Sequence, residues 1–313
     1  MRVLVTGSAG FIGSHLCERL IADGHHVVGA DCFSGYYERR VKEANLARLR
    51  DCARFEQVEI DLATDALDAL VDGVELIFHQ AAQPGVRASW GQHFATYARD
   101  NILATQRLLE AVKERPLRKF VYASSSSVYG DAEAFPTSEA ALPRPVSPYG
   151  VTKLAAEHLV QLYWRNYGVP AVSLRYFTVY GPRQRPDMAF HRFIRWALAG
   201  EPIQVYGDGE QTRDFTFVDD AVAANVAAGL SPEAGRVFNI GGGSQASVNQ
   251  VLAIISTLLE RPLDVHHLAT ERGDVRHTAA DTRLARELLG FCPRTDLATG
   301  LEAEVQWLLG SSA

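Results

Sequence analysis

The chain has 313 residues, of which 47% are hydrophobic and 22% charged, with a formal net charge of −6 and a pI near 5.9. This length predicts one large α/β unit or a large domain with a smaller companion, and the acidic balance argues against nucleic acid or a membrane surface as a partner. The four cysteines lack metal-ligand spacing, and no apolar run reaches the length of a membrane span. We therefore expect a cytoplasmic protein without structural metal.

Strand-like and helix-like segments alternate through the first 175 residues. This βαβ rhythm predicts an α/β protein with a Rossmann-type, doubly wound parallel sheet. A helix over 221–229 and a strand-like run at 237–243 are predicted to return to the sheet, so the dinucleotide-binding domain comprises 1–176 and 214–241. The remaining segments, 177–213 and 242–313, are predicted to form a smaller, interleaved C-terminal lobe that binds the substrate. The first six predicted strands are VLVTG, HVVGAD, RFEQVEID, LIFHQAA, KFVYASS and AVSLRYF.

Three glycines separate the first predicted strand from the first helix in VLVTGSAGFIGSHL. Gly7 permits a tight turn, Gly10 lets the backbone approach a pyrophosphate, and Gly13 allows close packing of helix on strand. The N-terminus of the helix attracts phosphate charge. The spacing by itself is a weak signal, but its position at the first strand predicts a dinucleotide site.

Acidic residues end the second and third predicted strands. Asp31 is expected to accept hydrogen bonds from the ribose hydroxyls of the cofactor and to repel a 2′-phosphate, which favours NAD over NADP. Asp61 and Leu62 are expected to border the adenine. The alternative for Asp31 is an ordinary turn or helix-capping aspartate.

A tyrosine and a lysine stand four residues apart in SPYGVTK, so Tyr149 and Lys153 share one face of a helix. A cationic lysine stabilises phenolate and is expected to lower the tyrosine pKa towards the range of a general base. The hydroxyl-rich run YASSSSVYG ends the fifth strand and can supply a serine that shares a proton with the substrate. The alternatives are a packed helix tyrosine and a solvated serine loop.

Several motifs in this order resemble the extended short-chain dehydrogenase/reductase family, and within it the nucleotide-sugar epimerases: TGSAGFIG, HQAA, Asn101, YASSSSVYG, the Tyr149–Lys153 pair and RYFTVYGPR. The resemblance extends to about residue 281. It implies NAD as cofactor, a UDP-sugar substrate, and a homodimer that pairs helices near 93–113 and 149–167. It implies that Ser125 is the catalytic hydroxyl, Tyr149 the base and Lys153 its electrostatic partner. The cofactor-binding residues that it implies are Gly7, Gly10, Phe11, Ile12, Gly13, Asp31, Asp61, Leu62, Gln80, Ala81, Ala82, Asn101, Tyr149, Lys153 and Tyr176.

Resemblance to these enzymes also implies the reaction. A hydride leaves sugar C4 for NAD while Tyr149 takes the hydroxyl proton, and the 4-keto sugar turns over and receives the hydride on its other face. Related 4,6-dehydratases carry an acidic pair after the catalytic hydroxyl. Ser126 and Ser127 occupy those positions here, so we expect them to contact substrate and not to remove water.

Arginines are the expected contacts for the substrate diphosphate. Arg213 matches the family's diphosphate-binding arginine, although an ion pair with Asp214 is an alternative. The family's second arginine position is Glu271 in this chain, which leaves Arg272 and Arg276 as candidates. Other candidate substrate residues are Gln204 and Tyr206 near the uracil, and Arg87 and Arg192 near the phosphates.

The stretch LRYFTVYGPRQRPDM, residues 174–188, bears on the identity of the sugar. UDP-glucuronate 4-epimerases resemble it in RYFTVYGP followed by RPDMA, whereas UDP-glucose 4-epimerases usually have asparagine in place of Thr178. Thr178 and Arg185 are expected to bind the C6 carboxylate of a uronate through charge-assisted hydrogen bonds. The alternatives are a UDP-glucose 4-epimerase, a UDP-glucuronate decarboxylase and a non-catalytic NAD-binding regulator, with Arg185 as a solvated loop residue.

Overall fold

A computed structural model of the chain describes residues 1–270, 273 and 275–311. The strands are β1 (Arg2–Thr6), β2 (His26–Asp31), β3 (Phe55–Glu59), β4 (Leu76–His79), β5 (Lys119–Ser125), β6 (Ala171–Tyr176), β7 (Val179–Tyr180), β8 (Ile203–Tyr206), β9 (Thr212–Phe217), β10 (Arg236–Ile240), β11 (Ser244–Ser247) and β12 (Val265–Leu268). The α-helices are α1 (Phe11–Ala22), α2 (Arg39–Asn45), α3 (Phe94–Tyr97), α4 (Ala104–Val112), α5 (Pro148–Tyr167), α6 (Ala189–Ala199), α7 (Val218–Leu230), α8 (Val248–Leu258), α9 (Arg283–Leu289) and α10 (Leu297–Ser311). In the described part of the chain, none of the helices combines the length and apolarity that crossing a membrane requires.

Seven parallel strands form the central sheet in the order β10-β6-β5-β4-β1-β2-β3. All the predicted strands join it, including the 237–243 run, which forms β10 and pairs with β6. The predicted fold class is therefore confirmed. Two boundaries differ from the prediction, because α7 begins at Val218 and β3 ends at Glu59, which leaves Asp61 in the following loop.

The sheet has a hydrophobic cluster on each face. Along β1, Val3 and Val5 belong to the cluster that contains residues of α1, α7 and α10, whereas Leu4 belongs to the cluster formed with α4 and α5. This alternation follows from the strand geometry, which directs successive side chains to opposite faces. Because both faces are covered, the inner strands β1, β4 and β5 are almost entirely buried.

The segments outside the central sheet form two small sheets. One has the strand order β11-β9-β7, and the other pairs β12 with β8 in parallel. Strand β9, which lies largely inside the segment 214–241, thus pairs outside the seven-stranded sheet, while α7 and β10 of the same segment pack on or join it. The proposed domain boundaries remain a prediction.

Helix α5 carries the predicted Tyr149–Lys153 pair. The Ser147 hydroxyl caps its first turn by accepting a hydrogen bond from the Gly150 N–H at 3.1 Å, and Pro148 occupies the first helical position. The helix ends at Gly168, whose φ of 71° is the left-handed conformation favoured by glycine. These signals place the tyrosine and the lysine in the first two turns.

Candidate active site

A cleft lies at the carboxyl edge of the central sheet, where residues that follow β1, β2, β3 and β4 meet the ends of β5 and β6. Its empty space, open mouth included, is about 1170 Å³. The carboxyl ends of parallel strands meet at one edge, so residues far apart in sequence converge there. Most of the residues predicted to bind cofactor line this cleft: Gly7, Gly10, Phe11, Ile12, Gly13, Asp31, Asp61, Leu62, Gln80, Ala81, Ala82, Tyr149, Lys153 and Tyr176.

The turn after β1 leaves no room for side chains at two of its glycines. Gly7 has a φ of +70°, and a Cβ atom there would lie 2.8 Å from the Ala81 nitrogen. A Cβ atom on Gly13 would lie 2.1 Å from the Gly7 carbonyl oxygen. The turn therefore packs tightly against β4 and α1, while Gly10 lines the cleft with its backbone. This cradle suits a pyrophosphate at the N-terminus of α1.

Asp31 ends β2 as a buried carboxylate with three hydrogen-bond donors. The N–H groups of Ala9 (3.3 Å) and Phe33 (2.7 Å) donate to it, and Lys42 Nζ lies 3.3 Å from the same oxygen that Phe33 contacts. The prediction from sequence missed Lys42, which also lines the cleft. Only four of the 31 lysines and arginines are lysines, and two of these four, Lys42 and Lys153, line this cleft. The rarity of lysine could have marked Lys42 as a candidate from the sequence.

Asn101 differs from the other predicted cofactor residues because it is not among the residues that line the cleft. It is buried in the π-helical turn Ala98–Leu103 between α3 and α4. Its side chain accepts a hydrogen bond from the Gln83 N–H at 2.7 Å and donates to the Gln83 carbonyl at 3.1 Å and to the Thr152 hydroxyl at 3.0 Å. In this structure Asn101 therefore fixes Gln83, a lining residue, to α5.

Ser125 ends β5, and its interaction with the Tyr149 hydroxyl lowers the pKa of that phenol. Ser125 Oγ also accepts a hydrogen bond from the Ser127 N–H at 3.2 Å, which orders the short 3₁₀ turn of Ser126 and Ser127. Burial raises the pKa of Tyr149, while the bond from Ser125 and the charge of Arg185 oppose the rise. The expectation that Lys153 lowers the Tyr149 pKa is not met: desolvation raises this pKa, and the opposing contributions come from Ser125 and Arg185 and not from Lys153.

Lys153 is buried one helical turn after Tyr149 on α5. Its ammonium donates a hydrogen bond to the Ala123 carbonyl at 2.7 Å and lies 5.1 Å from the centre of the Tyr122 ring. Burial lowers the pKa of Lys153 to about 7, because a buried ammonium loses its hydration. The lysine can therefore change protonation state near neutral pH.

The loop after β6 brings one of its predicted carboxylate ligands into the cleft. Arg185 lines the cleft with Tyr149, its side chain being 20% exposed, and its Nε and Nη2 donate to Asp187 at 3.0 and 3.1 Å. The Tyr36 hydroxyl also donates to Asp187, at 3.2 Å. Thr178 is not among the lining residues, and its carbonyl accepts the Thr216 N–H at 2.9 Å, so its predicted substrate contact remains untested.

The predicted diphosphate and uracil residues form a second group beside β8 and β9. The Arg87 guanidinium stacks over the Tyr206 ring at 4.2 Å, and Arg213 donates to the Arg276 carbonyl at 3.3 Å. Arg276 itself forms an exposed ion pair with Asp208 at 2.8 Å.

Other members of the predicted set are placed differently. Gln204 is exposed on β8, whereas Arg192 stacks over Trp196 at 4.5 Å on α6, and neither lines the cleft. Arg272 lies outside the described residues. Gly273 lies beside Val86 and beside Ser147 at the start of α5.

Comparisons with known proteins agree with this fold and cleft. Residues 3–241 match the family described as the NAD dependent epimerase/dehydratase family. The chain belongs to this family. Over 98% of both chains it is 47% identical to a Bacillus subtilis protein named as an uncharacterized UDP-glucose epimerase, YtcB. It is 37% identical to the UDP-glucuronate 4-epimerase of Thermodesulfobacterium geofontis, over 97% of this chain and 95% of the relative.

The structure superposes on the crystal structure of UDP-glucuronic acid 4-epimerase from Bacillus cereus in complex with UDP-glucuronic acid and NAD. The TM-score is 0.97 at 44% identity, covering 99% of this chain and 100% of the other. The family is NAD dependent, so NAD is the cofactor of this protein. The glycine turn suits the pyrophosphate of NAD, and the Asp31 carboxylate suits the hydroxyls of its ribose.

A fully buried histidine ends β4 and is not among the residues that line the cleft. His79 ends β4, bonds the hydroxyls of Thr6 (2.7 Å) and Thr105 (2.9 Å), and is fully buried. Burial, with a smaller effect of the Lys153 charge, lowers the pKa of His79 to about 3. The imidazole is therefore neutral throughout the physiological range.

This shift predicts acid sensitivity. Because the folded-state pKa of His79 lies below the ordinary value of about 6.5, the unfolded chain binds more protons at mildly acidic pH. The stabilisation is present above pH 6.5 and is lost as pH falls towards 3, by up to about 1.4 kcal/mol per pH unit for this one group. Between pH 7 and 5, the free energy of unfolding measured in urea should decrease less for His79→Gln than for the unaltered protein. His26→Gln, at an exposed histidine, is the matched control, and equal slopes for all three proteins would contradict the assignment.

Proposed function

We propose that this protein is an NAD-dependent UDP-sugar 4-epimerase that interconverts UDP-glucuronate and UDP-galacturonate. The observation that carries the choice of sugar is the placement of Arg185 in the same cleft as Tyr149 and Lys153. A guanidinium at the reacting end of the cleft suits a sugar with a carboxylate at C6, because arginine binds carboxylates through paired, charge-assisted hydrogen bonds.

The chain's own residues account for the proton transfers. Tyr149 takes the proton of the C4 hydroxyl, and Ser125, hydrogen-bonded to it, shares that proton and stabilises the resulting oxygen charge. When bound, NAD accepts the hydride from C4 and returns it to the opposite face of the 4-keto sugar. Lys153, held by the Ala123 carbonyl, lies one helical turn from Tyr149 on α5 and, in its protonated form, supplies positive charge to this end of the cleft. The returned proton then comes from Tyr149.

One edge of the Arg185 guanidinium is hydrogen-bonded within the protein. Its Nε and Nη2 bond Asp187, so Nη1 is outside that pair. Asp187 and Tyr36 thereby orient the side chain before a substrate binds. We propose that Arg185, with Thr178, holds the uronate carboxylate. A preorganised guanidinium loses less conformational entropy on binding than a free one.

Holding the carboxylate also suits the chemistry of the keto stage. A 4-keto uronate is a β-keto acid, which loses carbon dioxide most readily when its carboxylate lies perpendicular to the carbonyl plane. An epimerase must restrain that geometry, whereas a UDP-glucuronate decarboxylase lets the loss proceed. A bidentate contact from Arg185 would restrict rotation of the carboxylate.

Neutral-sugar epimerisation is the second candidate, because the Bacillus subtilis relative is named for UDP-glucose. The proton-transfer residues would act identically on that sugar. The arginine in the cleft is what favours the uronate.

We propose that the group around β8 and β9 binds the nucleotide diphosphate and uracil. Arg213 and Arg87 are the cationic candidates for the diphosphate, and Tyr206 and Gln204 the candidates for the uracil. Gly273 lies beside Ser147 at the start of α5 and Arg276 pairs with Asp208, which supports a substrate that extends from the cleft to this group. This arrangement supports segments 177–213 and 242–313 as the substrate lobe. The composition supports a cytoplasmic location and a small-molecule partner in place of nucleic acid.

We also propose a homodimer through α3, α4 and α5. Helices α4 and α5 pack on the same face of the sheet, and the Gln106 amide donates to the Tyr163 hydroxyl between them at 3.1 Å. The outward surface of the three helices carries large exposed hydrophobic residues, which a soluble protein usually covers. They are Phe94, Leu103, Val151 and Leu162.

The proton path predicts unequal effects of two substitutions. Tyr149→Phe should abolish most epimerase activity while NAD stays bound, because the ring fills the same space without a transferable proton. Ser125→Ala should lose about 10²- to 10⁴-fold in kcat, the usual range for one acid–base participant. Product formation from UDP-glucuronate and the NAD content of each protein are measured together. A Tyr149→Phe enzyme with normal turnover would refute the assignment.

The sugar choice predicts an asymmetric effect at Arg185. Arg185→Ala should weaken the binding of UDP-glucuronate by about 10- to 150-fold, which corresponds to ~1.5–3 kcal/mol for one charge-assisted hydrogen bond. The binding of UDP-glucose should be nearly unchanged. The substitution should also raise the yield of UDP-pentose and carbon dioxide from UDP-glucuronate. Arg195→Ala, at an exposed arginine on α6, is the matched control. Equal losses on both sugars without a decarboxylated product would instead favour the neutral-sugar epimerase.

The dimer predicts a change in mass. Light scattering at micromolar concentration should give twice the chain mass for the unaltered protein and the chain mass for Leu162→Glu with Val151→Glu, because a buried unpaired carboxylate is costly. Leu230→Glu, at another exposed leucine on α7, should stay dimeric. An unaltered protein that is monomeric would exclude the interface.

A further inference from the structure

We propose that Arg183 is a positioning residue that fastens the loop 177–188 to the cofactor-binding helix α1, so that its neighbour Arg185 is held in the cleft. Arg183 is not among the residues that line the cleft, and its guanidinium faces α1 instead. The two arginines of RQR would then have different roles. Only the effect on substrate choice rests on the proposed function.

The Arg183 guanidinium contacts three groups of the dinucleotide-binding half. Its Nη2 donates to Glu18 at 2.6 Å, and its Nη1 lies 3.3 Å from the Ser14 hydroxyl and 3.5 Å from the Asn45 carbonyl. The side chains of Arg183 and Glu18 are only 11% and 24% exposed. A charge-assisted pair with this much burial is screened far less than a surface pair, so its loss is expected to matter. We call Arg183, Glu18, Ser14 and Asn45 the loop latch.

The backbone at Arg183 indicates that the loop is held against its own preference. Arg183 has a φ of +65°, in the left-handed region that residues with a Cβ atom rarely adopt. Such a conformation persists when surrounding contacts stabilise it, and it is enriched at functional sites. The adjacent Pro182 carbonyl also accepts a hydrogen bond from His15 Nε2 on α1 at 2.9 Å. Side chain and backbone therefore both attach this turn to the helix.

The partners of Arg183 belong to the elements that hold the cofactor. Ser14 and Glu18 lie on α1, which begins directly after Gly10 of the glycine turn. The Asn45 side chain donates to the Ala9 carbonyl within that turn at 3.0 Å, and the Ala9 N–H donates to Asp31 at 3.3 Å. The loop latch therefore ties the position of the substrate loop to the glycine turn and Asp31.

Arg185 depends on the same turn for its direction. Hydrogen bonds from the Gln184 N–H to the Gly181 carbonyl and from the Met188 N–H to the Arg185 carbonyl, both at 3.0 Å, fold the loop around Arg183. If the latch is released, these amides open and Arg185 loses its fixed position. The loss should weaken uronate binding even though Arg183 contacts no substrate.

The test uses the NAD-loaded enzyme with three substitutions at one position. Arg183→Gln removes the ion pair, Arg183→Gly also removes the backbone strain, and Arg183→Lys retains the charge without the planar fork. Arg19→Gln is the matched control, because Arg19 forms an exposed pair with Asp23 on the same helix. Hydrogen exchange of the loop amides is measured together with KM and kcat for UDP-glucuronate and UDP-glucose.

Both Arg183→Gln and Arg183→Gly should speed amide exchange in residues 181–188 and leave exchange in β5 unchanged. They should raise KM for UDP-glucuronate by roughly 10-fold, the lower end of the range for one charge-assisted hydrogen bond, with little change in KM for UDP-glucose. For Arg183→Lys, the exchange rate of the loop and the KM for UDP-glucuronate should lie between those of these two variants and those of the unaltered protein. Glu18→Gln should cause the same faster loop exchange and higher KM for UDP-glucuronate. Glu18→Arg combined with Arg183→Glu should bring both values part of the way back to those of the unaltered protein.

Two results would overturn the latch. Loop exchange at the unaltered rate in Arg183→Gln would show that the side chain does not hold the loop. Full uronate binding in Arg183→Gly would show that only the positive φ is required. Faster loop exchange without a change in sugar preference would support the latch and count against the role proposed for Arg185, so failure of the proposed function is separable from failure of the latch.

Discussion

The glycine turn after β1 packs against its neighbours without space for an added methyl group at Gly7 or Gly13. Because the Gly7 backbone touches Ala81 at the end of β4, and Gly13 touches the Gly7 carbonyl, strand and helix approach each other more closely than side chains would permit. This close approach brings the N-terminus of α1 to the carboxyl edge of the sheet. The cofactor cradle, the position of Asp31 and the attachment of the substrate loop to α1 all depend on it.

In and beside the cleft, burial is the largest influence on the pKa values of three ionisable groups. Desolvation raises the pKa of Tyr149 and lowers that of Lys153 to about 7 and that of His79 to about 3. Hydrogen bonds hold two of these groups: Lys153 donates to the Ala123 carbonyl, and His79 bonds two threonine hydroxyls. A dry site of this kind strengthens electrostatic interactions with a bound substrate and keeps water from a keto intermediate.

The loop between β6 and α6 is attached to three different parts of the molecule. Arg185 reaches into the cleft, Arg183 reaches to α1, and the Gly181 N–H donates to the buried Glu304 of the C-terminal helix at 2.9 Å. Three attachments in different directions restrict the loop more than its sequence suggests. In the proposed function, the loop selects the sugar, whereas the proton-transfer residues lie on β5 and α5.

Local and periodic features were predictable from the sequence: the strand and helix rhythm, the glycine turn, and the face shared by Tyr149 and Lys153 all depend on residues only a few positions apart. The tertiary structure decided the pairings. Lys42 beside Asp31, and Glu18 beside Arg183 across 165 positions, follow no periodicity, since a charged side chain finds its partner through packing of elements distant in the chain. The same holds for the Tyr149 pKa, because the depth of burial that raises it exists only in the folded protein.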